Sequence, residues 1–194
     1  MNIRLEYFRS VYKAEQMPPE RYPEIVVCGR SNVGKSSLLN TISGGKVIAK
    51  VSSTPGKTES VNYFSTTGKF YLVDLPGFGY AQRDKATVAT WGRLIDNYFR
   101  ASGHIVEALH LIDSRHTGME SDLRLEEYFR GLGIPSYIVL TKSDKLSQSE
   151  RSAAEKAIKI NYPDVKVFQS YQFFSSKNSE GKDELIKEIM GKVK

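Results

Sequence analysis

Ile25-Val26-Val27-Cys28-Gly29-Arg30-Ser31-Asn32-Val33-Gly34-Lys35-Ser36 is the stretch that decides the fold. Four apolar residues in an unbroken run, closed by glycine, describe a central strand buried on both faces. Residues 35–41 then carry a helix. Between strand and helix, Gly29 to Ser36 matches G-x-x-x-x-G-K-[ST], and this setting is the one the pattern requires. The glycines let the backbone of Gly29, Arg30, Ser31, Asn32, Val33 and Gly34 wrap phosphates with its N–H groups pointing inward. The helix N-terminus, at Lys35, Ser36 and Ser37, adds a favourable dipole. Lys35 is placed to reach the β- and γ-phosphates, and Ser36 to ligate Mg²⁺. Cys28, the chain's one cysteine, is expected to act as a small buried hydrophobe.

Outward from this loop, short β-rich runs alternate with helical stretches. Residues 61–66 and 70–74 flank Thr67-Gly68-Lys69 as a hairpin, and 108–112, 137–141 and 165–168 form further strands. Helices are expected over 86–101, 122–132, 149–160 and 183–193. The first of these carries Val88, Trp91, Leu94, Ile95, Tyr98 and Phe99 at helical spacing. Such alternation predicts an α/β fold of three αβα layers in the P-loop NTPase class. The sheet is expected to be mostly parallel, with one antiparallel edge strand from the hairpin. Residues 3–12 are ambiguous between an extra strand and irregular chain, and residues 18–23 form an extended lead-in. Residues 43–60 and 76–85 are too rich in breakers for regular structure. One domain over 1–194 is expected, with 1–22 as an N-terminal extension.

Three further motifs select the chemistry. Thr141-Lys142-Ser143-Asp144 leaves a strand at the carboxyl edge of the sheet, where open α/β folds bind ligands. Asp144 can accept hydrogen bonds from guanine N1–H and the exocyclic amine; adenine offers neither and would leave the carboxylate unpaired. The aliphatic stem of Lys142 is suited to cover the base. Asp74-Leu75-Pro76-Gly77 follows another strand, with Asp74 placed to hold Mg²⁺ through water and the Gly77 N–H to bond the γ-phosphate. Phe174-Ser175-Ser176 ends the last strand and can give a backbone N–H to guanine O6. In Ser52-Ser53-Thr54-Pro55-Gly56-Lys57-Thr58, Thr58 is the choice for the second Mg²⁺ hydroxyl, with Thr54 its rival.

Composition agrees with a globular chain and excludes several classes. The 194 residues are 40% apolar and 26% charged, outside the range of disordered or fibrous chains. One cysteine excludes an intramolecular disulfide framework and fits a reducing compartment. No run approaches the roughly 18 apolar residues of a membrane span, and the charged start Met1 to Glu6 does not fit a signal peptide. A cytoplasmic protein is therefore expected, without membrane contact. The net charge of +6 lies wholly in residues 1–100, with 14 basic and 8 acidic side chains against 14 of each in 101–194. Scattered surface lysines would explain that surplus, and so would a basic face for a polyanion.

These motifs in this order resemble a translation-factor-class GTPase with a Ras-like G domain. G-R-S-N-V-G-K-S, S-S-T-P-G-K-T-E-S-V-N, D-L-P-G-F-G-Y-A, Trp91-Gly92-Arg93, T-K-S-D-K and F-S-S together resemble the EngB/YihA/YsxC family over about residues 20–190. Its members are bacterial GTP-binding proteins of large-subunit ribosome assembly, historically linked to septation. The resemblance implies GTP and GDP as ligands and Mg²⁺ held by Ser36 and Thr58. It makes Gly56, Lys57, Thr58, Glu59 and Ser60 the loop that orders over the γ-phosphate. It implies the large ribosomal subunit or its precursor, with its rRNA, as partner, and a monomeric protein.

Phe78 stands where Ras-like enzymes carry a water-orienting glutamine, so slow intrinsic hydrolysis is expected. Lys35, Thr58 and Gly77 are left to act on the reacting phosphate. Asn32 joins them by resemblance, since related GTPases use an asparagine there to hold K⁺ in place of an arginine finger. Arg83 is either such a finger or a solvated loop charge, and Asp113-Ser114-Arg115-His116 either a partner contact or a polar loop. Two other readings remain open at this stage: an RNA-bound placeholder with negligible turnover, and a P-loop phosphotransferase, which T-K-S-D disfavours.

Overall fold

The computed structural model describes residues 1–19, 22–45, 60–67, 69–78, 85–163 and 171–194, with backbone alone over 85–91. Seven strands form one sheet: β1 (Leu5–Val11), β2 (Glu24–Gly29), β3 (Val61–Thr66), β4 (Tyr71–Asp74), β5 (Ile105–Asp113), β6 (Ser136–Thr141) and β7 (Tyr171–Phe174). Their order is β1-β3-β4-β2-β5-β6-β7. The neighbours from β4 to β7 pair in parallel, and β3 runs antiparallel to both β4 and β1. Five helices connect them: α1 (Lys35–Ile42), α2 (Lys85–Ala101), α3 (Glu120–Leu132), α4 (Gln148–Asn161) and α5 (Lys182–Lys192). The expected three-layer α/β architecture is present, and the helices begin and end within two residues of the positions the sequence predicts.

Two expectations need revision. The antiparallel hairpin strand β3 is not an edge, because β1 covers it. The expected strand at 165–168 lies outside the described residues, and the described strand that leads to Phe174 is Tyr171–Phe174. β1 is hard to read in the sequence for a physical reason. Its register against β3 shifts between Tyr7 and Arg9, a bulge that leaves Phe8 without a partner. Leu5 and Val11 would share a face in a regular strand; here they enter cores on opposite sides of the sheet.

Alternation along the strands builds those two cores. Ile25 and Val27 pack with Leu38, Leu39 and Ile42 of α1 and Leu185, Ile186 and Ile189 of α5. Val26 and Cys28 face the other way, toward Ile95, Tyr98 and Phe99 of α2 and Phe129 of α3. Ile138 and Leu140 meet Ala154 and Ile158 of α4 on that same side. Cys28 is 3% exposed and packed as a hydrophobe, as its place in the strand predicts. Glu24, at the start of β2, is buried and accepts hydrogen bonds from Tyr98 Oη at 2.6 Å and Ser102 Oγ at 2.9 Å. Those bonds lash the end of α2 to the first parallel strand. Ser147 and Glu150 form a capping box that starts α4.

One polar cluster lies inside the second core. His110 of β5 is wholly buried, with Nδ1 2.6 Å from Glu126 Oε1 and Nε2 3.7 Å from Asp122 Oδ1. Asp122 Oδ2 is 3.1 Å from Arg30 Nε, and Glu126 also accepts from Ser136 Oγ at 2.7 Å. Two carboxylates and one guanidinium are balanced only when the imidazole carries a proton. Burial alone would lower the imidazole's pKa, but the neighbouring Asp122 carboxylate and the hydrogen bond to Glu126 outweigh it and the pKa is raised.

A raised folded-state value makes the stabilisation complete below the unfolded pKa of about 6.5 and removes it as pH rises through the folded value. Urea midpoints from about pH 6 to 9 should therefore fall more steeply for the parent chain than for His110→Gln. One proton sets a ceiling of about 1.4 kcal/mol per pH unit on the difference. Parallel pH profiles for the two proteins would contradict this assignment.

Candidate nucleotide-binding site

The loops that follow β2, β4, β6 and β7 leave the sheet at one edge, the carboxyl ends of its parallel strands. β2 has β4 on one side and β5 on the other. The winding of the sheet reverses there, which opens a crevice beyond the end of β2. The phosphate-loop motif starts in that crevice, and its first glycine is required by packing. A Cβ on Gly29, where φ is +151°, would lie 2.5 Å from Leu111 O and 2.9 Å from Val33 Cγ1. Asn32 and Gly34 take positive φ values of 61° and 117°, curling the loop into the start of α1. No side chain caps α1, so the first-turn N–H groups at Lys35, Ser36 and Ser37 are presented for an anion.

The charges in this cradle lack full partners among the described residues. The Lys35 ammonium is 3.3 Å from Gly29 O, and burial lowers its pKa against the opposing pull of Asp74. Burial pushes the Asp74 carboxyl up to about 6, with Lys35 working against the shift. Asp74 Oδ1 is buried with no hydrogen-bond partner among the described residues. An orphaned carboxylate oxygen beside a desolvated ammonium fits a nucleotide phosphate and its hydrated divalent cation. Ser36 and Asp74 are the described residues suited to hold Mg²⁺, directly and through water. Among the described residues no three His, Cys, Asp or Glu side chains cluster as a metal site.

The Asp74-Leu75-Pro76-Gly77 segment is docked on the phosphate loop. The Leu75 N–H bonds Val27 O at 3.0 Å, and Leu75 and Pro76 are buried, so these two position the turn. Phe78 forms an isolated parallel bridge with Arg30, and its carbonyl accepts the Ser31 N–H at 2.9 Å. A Cβ on Gly77 would lie 2.9 Å from Ser31 Cα and 3.0 Å from Lys35 Nζ, so glycine is needed for this close approach. Ser60 is buried, and its hydroxyl donates to Asn62 Oδ1 at 3.1 Å at the start of β3. Gly56, Lys57, Thr58 and Glu59, with the rival Thr54, lie outside the described residues, as does Arg83.

The base-reading loop is tied to the phosphate loop. Thr141 Oγ1 lies 2.7 Å from Val33 O, and Lys142 Nζ donates to Asn32 O at 2.8 Å. Lys142, at φ 61°, also pairs with Asp113 Oδ2 at 2.9 Å. Asp144 is exposed, and its Oδ1 accepts from Ser175 Oγ at 2.7 Å, which brings the β7 loop against the T-K-S-D turn. The Ser175 N–H is bonded to Glu180 O at 3.1 Å, so it is not free for the expected bond to guanine O6.

Two residues have a larger part than sequence assigns them. Asp113 ends β5 at the same edge and holds Lys142 and Arg115. Burial works to raise its pKa, but the bonds from Arg115 and Lys142 hold it well below the usual carboxylate range. Its position at a strand's carboxyl end is a signal the sequence does contain. Glu180 sits in a polar loop without a motif, and only the fold shows its contacts: its carboxylate accepts from Ser143 Oγ at 2.7 Å and pairs with Arg151.

Comparison with known proteins agrees with this geometry. A family model described as a 50S ribosome-binding GTPase matches residues 24–142. A protein of Chlorobium phaeobacteroides (strain BS1) named "Probable GTP-binding protein EngB" is 44% identical over 190 residues, spanning 97% of each chain. A protein of the same name from Clostridium perfringens (strain SM101 / Type A) is 42% identical over 181 residues, 93% of this chain and 91% of that one. A crystal structure of a probable GTP-binding protein engB superposes with a TM-score of 0.72 at 18% identity. It covers 88% of this chain and 98% of its own, which supports the fold. With the phosphate, Asp74 and guanine-reading loops gathered at one sheet edge, this chain belongs to the EngB family of GTP-binding proteins, a family of P-loop GTPases.

Proposed function

We propose that this GTPase hydrolyses GTP slowly, in the cytoplasm, as a conformational switch in assembly of the large ribosomal subunit, with a consequent link to septation. The observation that carries the nucleotide part is the junction of Asp144, Ser175 and the phosphate loop at one sheet edge. The ribosomal part is supported by the family model's description and by the basic surplus of residues 1–100. Lys46, Lys50, Lys57 and Arg83, which give that surplus much of its weight near the nucleotide loops, lie outside the described residues.

Mg²⁺, when bound with Ser36 and Thr58 as its protein ligands, neutralises charge on the β- and γ-phosphate oxygens. The backbone from Asn32 to Ser36 and the Lys35 ammonium hold those phosphates. The Gly77 N–H bonds the γ-phosphate, so its loss frees the segment that now lies on Ser31. Asp144 fixes the base, and Ser176 supplies the O6 donor. No glutamine follows Gly77. Phe78 cannot orient water, which limits intrinsic turnover to roughly 10⁻³ s⁻¹, the order of unassisted Ras. Asn32 is proposed to hold K⁺ beside the phosphates, and equal rates in K⁺ and Na⁺ at fixed ionic strength would remove that element alone.

GDP is expected to outcompete ADP by at least about 10⁴-fold, the range for sites built on obligatory hydrogen bonds. Asp144→Asn should shift preference toward xanthosine nucleotides, measured by competition against a fluorescent GDP analogue. Comparable ADP binding would defeat the nucleotide reading. In co-sedimentation, the GTP-analogue complex should bind large ribosomal subunits or their precursors more tightly than the GDP complex. Raising salt from about 50 to 200 mM should weaken that binding at least tenfold, and Lys46→Ala with Lys50→Ala should flatten the dependence. Equal binding in GTP-analogue and GDP states, or none in either, would defeat the switch and leave a placeholder or another role.

A further inference from the structure

We infer that Glu180 is a positioning residue for guanine recognition, because its single side chain and carbonyl fasten together the two loops that form the base site. The inference rests on the guanine-nucleotide reading above and assigns a role to a residue outside every motif.

Glu180 closes a compact loop between β7 and α5. Its N–H bonds Asn178 Oδ1 at 3.1 Å, and its carbonyl accepts the Ser175 N–H at 3.1 Å. The next residue, Gly181, has φ +74°, and a Cβ there would lie 2.1 Å from Phe173 O. The backbone at Glu180 is therefore held in place by a neighbour that only glycine can occupy. From that fixed point the carboxylate divides its two oxygens. Oε2 accepts from Ser143 Oγ at 2.7 Å, while Oε1 pairs with the Arg151 guanidinium of α4. The Arg151 Cζ lies 4.1 Å over the Phe173 ring of β7, so the cation is itself anchored to the strand that leads into the loop.

Ser143 and Ser175 both control Asp144. Ser143 precedes it in the turn and is buried at 3% exposure, with its hydroxyl donated to the Glu180 carboxylate. Ser175 donates to Asp144 Oδ1 at 2.7 Å and is itself wholly buried. Asp144 is exposed, and an exposed carboxylate without supports would sample several rotamers. Guanine demands one of them, because N1–H and the exocyclic amine must be met together. Glu180 supplies that order from below: it grips the backbone of Ser175, whose hydroxyl holds Asp144 Oδ1, and the hydroxyl of Ser143, the residue that precedes Asp144 in the turn. A charge-assisted bond of this kind contributes about tenfold or more to affinity.

The test compares GDP with IDP, which lacks the exocyclic amine and so reports the second bond from Asp144. Affinities for GDP, IDP and ADP are measured on the full chain and on Glu180→Ala, Glu180→Gln and Ser143→Ala. The parent should prefer GDP to IDP by about tenfold or more. Glu180→Ala should lower that ratio to within about threefold of unity, Ser143→Ala should lower it partway, and Glu180→Gln, which keeps an acceptor for Ser143, should retain most of it. A residue that merely stabilises the fold would weaken GDP and IDP by equal factors. If both ratios in Glu180→Ala and Ser143→Ala match the parent's, the positioning role is overturned. Ser143→Ala decides the matter alone if Glu180→Ala does not fold. Failure of the parent to separate GDP from ADP would instead overturn the guanine site itself, and this inference with it.

Discussion

The whole arrangement depends on how closely the end of β2 approaches β5. Leu111 O occupies the space where any side chain at position 29 would begin, and Val33 fills the other side. Because Gly29 has no Cβ, the strand can run to the sheet's edge in regular register with β5 from Ile25 to Gly29 and then turn at once into the phosphate loop. A larger residue would push the loop away from Leu111. The register of Arg30 with Phe78 would go with it, and so would the close approach of Gly77 to Ser31 and Lys35. The chemistry at the edge is a consequence of packing decided one residue earlier.

From that point the site is a set of loops tied to one another by side chains. Thr141 and Lys142 bind carbonyls of the phosphate loop, Asp113 holds Lys142, and Ser175 and Glu180 hold the turn that presents Asp144. Arg30 reaches the opposite way, through the sheet's second core, to Asp122 and the buried His110. The phosphate loop is thus braced from both the base side and the α3 side. Among the described residues its own charges are not fully compensated, since Asp74 Oδ1 has no hydrogen-bond partner and the half-buried Lys35 ammonium meets only the Gly29 carbonyl at 3.3 Å. Buried polar groups left unsatisfied at the end of a strand mark a binding site more than a turn.

Much of this was legible in the sequence because the motifs stand where a parallel sheet gathers its loops. Gly29 to Ser36, Asp74 to Gly77 and Thr141 to Asp144 each follow a strand, and strand ends at one edge meet by topology. What the sequence hid depended on interactions without a local signature. The bulge at Phe8 broke the alternation that would mark β1, and with it the evidence that β3 is an interior strand. The bond from the Ser60 hydroxyl to Asn62 at the start of β3 likewise has no motif to announce it. Glu180 and Asp122 lie 36 and 92 residues from Asp144 and Arg30, the groups they serve, and no spacing rule connects them. Long-range partners of that kind become visible only when the chain is folded.

The central claim is that the phosphate loop, the Thr141-to-Asp144 turn and the Phe174-to-Ser176 segment act as one guanine-nucleotide site. Backbone hydrogen exchange, followed by mass spectrometry with and without ligand, tests it most directly. Saturating GTP analogue should slow exchange in all three segments together, while ADP at the same concentration leaves them unchanged. Protection confined to the phosphate loop, or equal protection by ADP, would contradict the account.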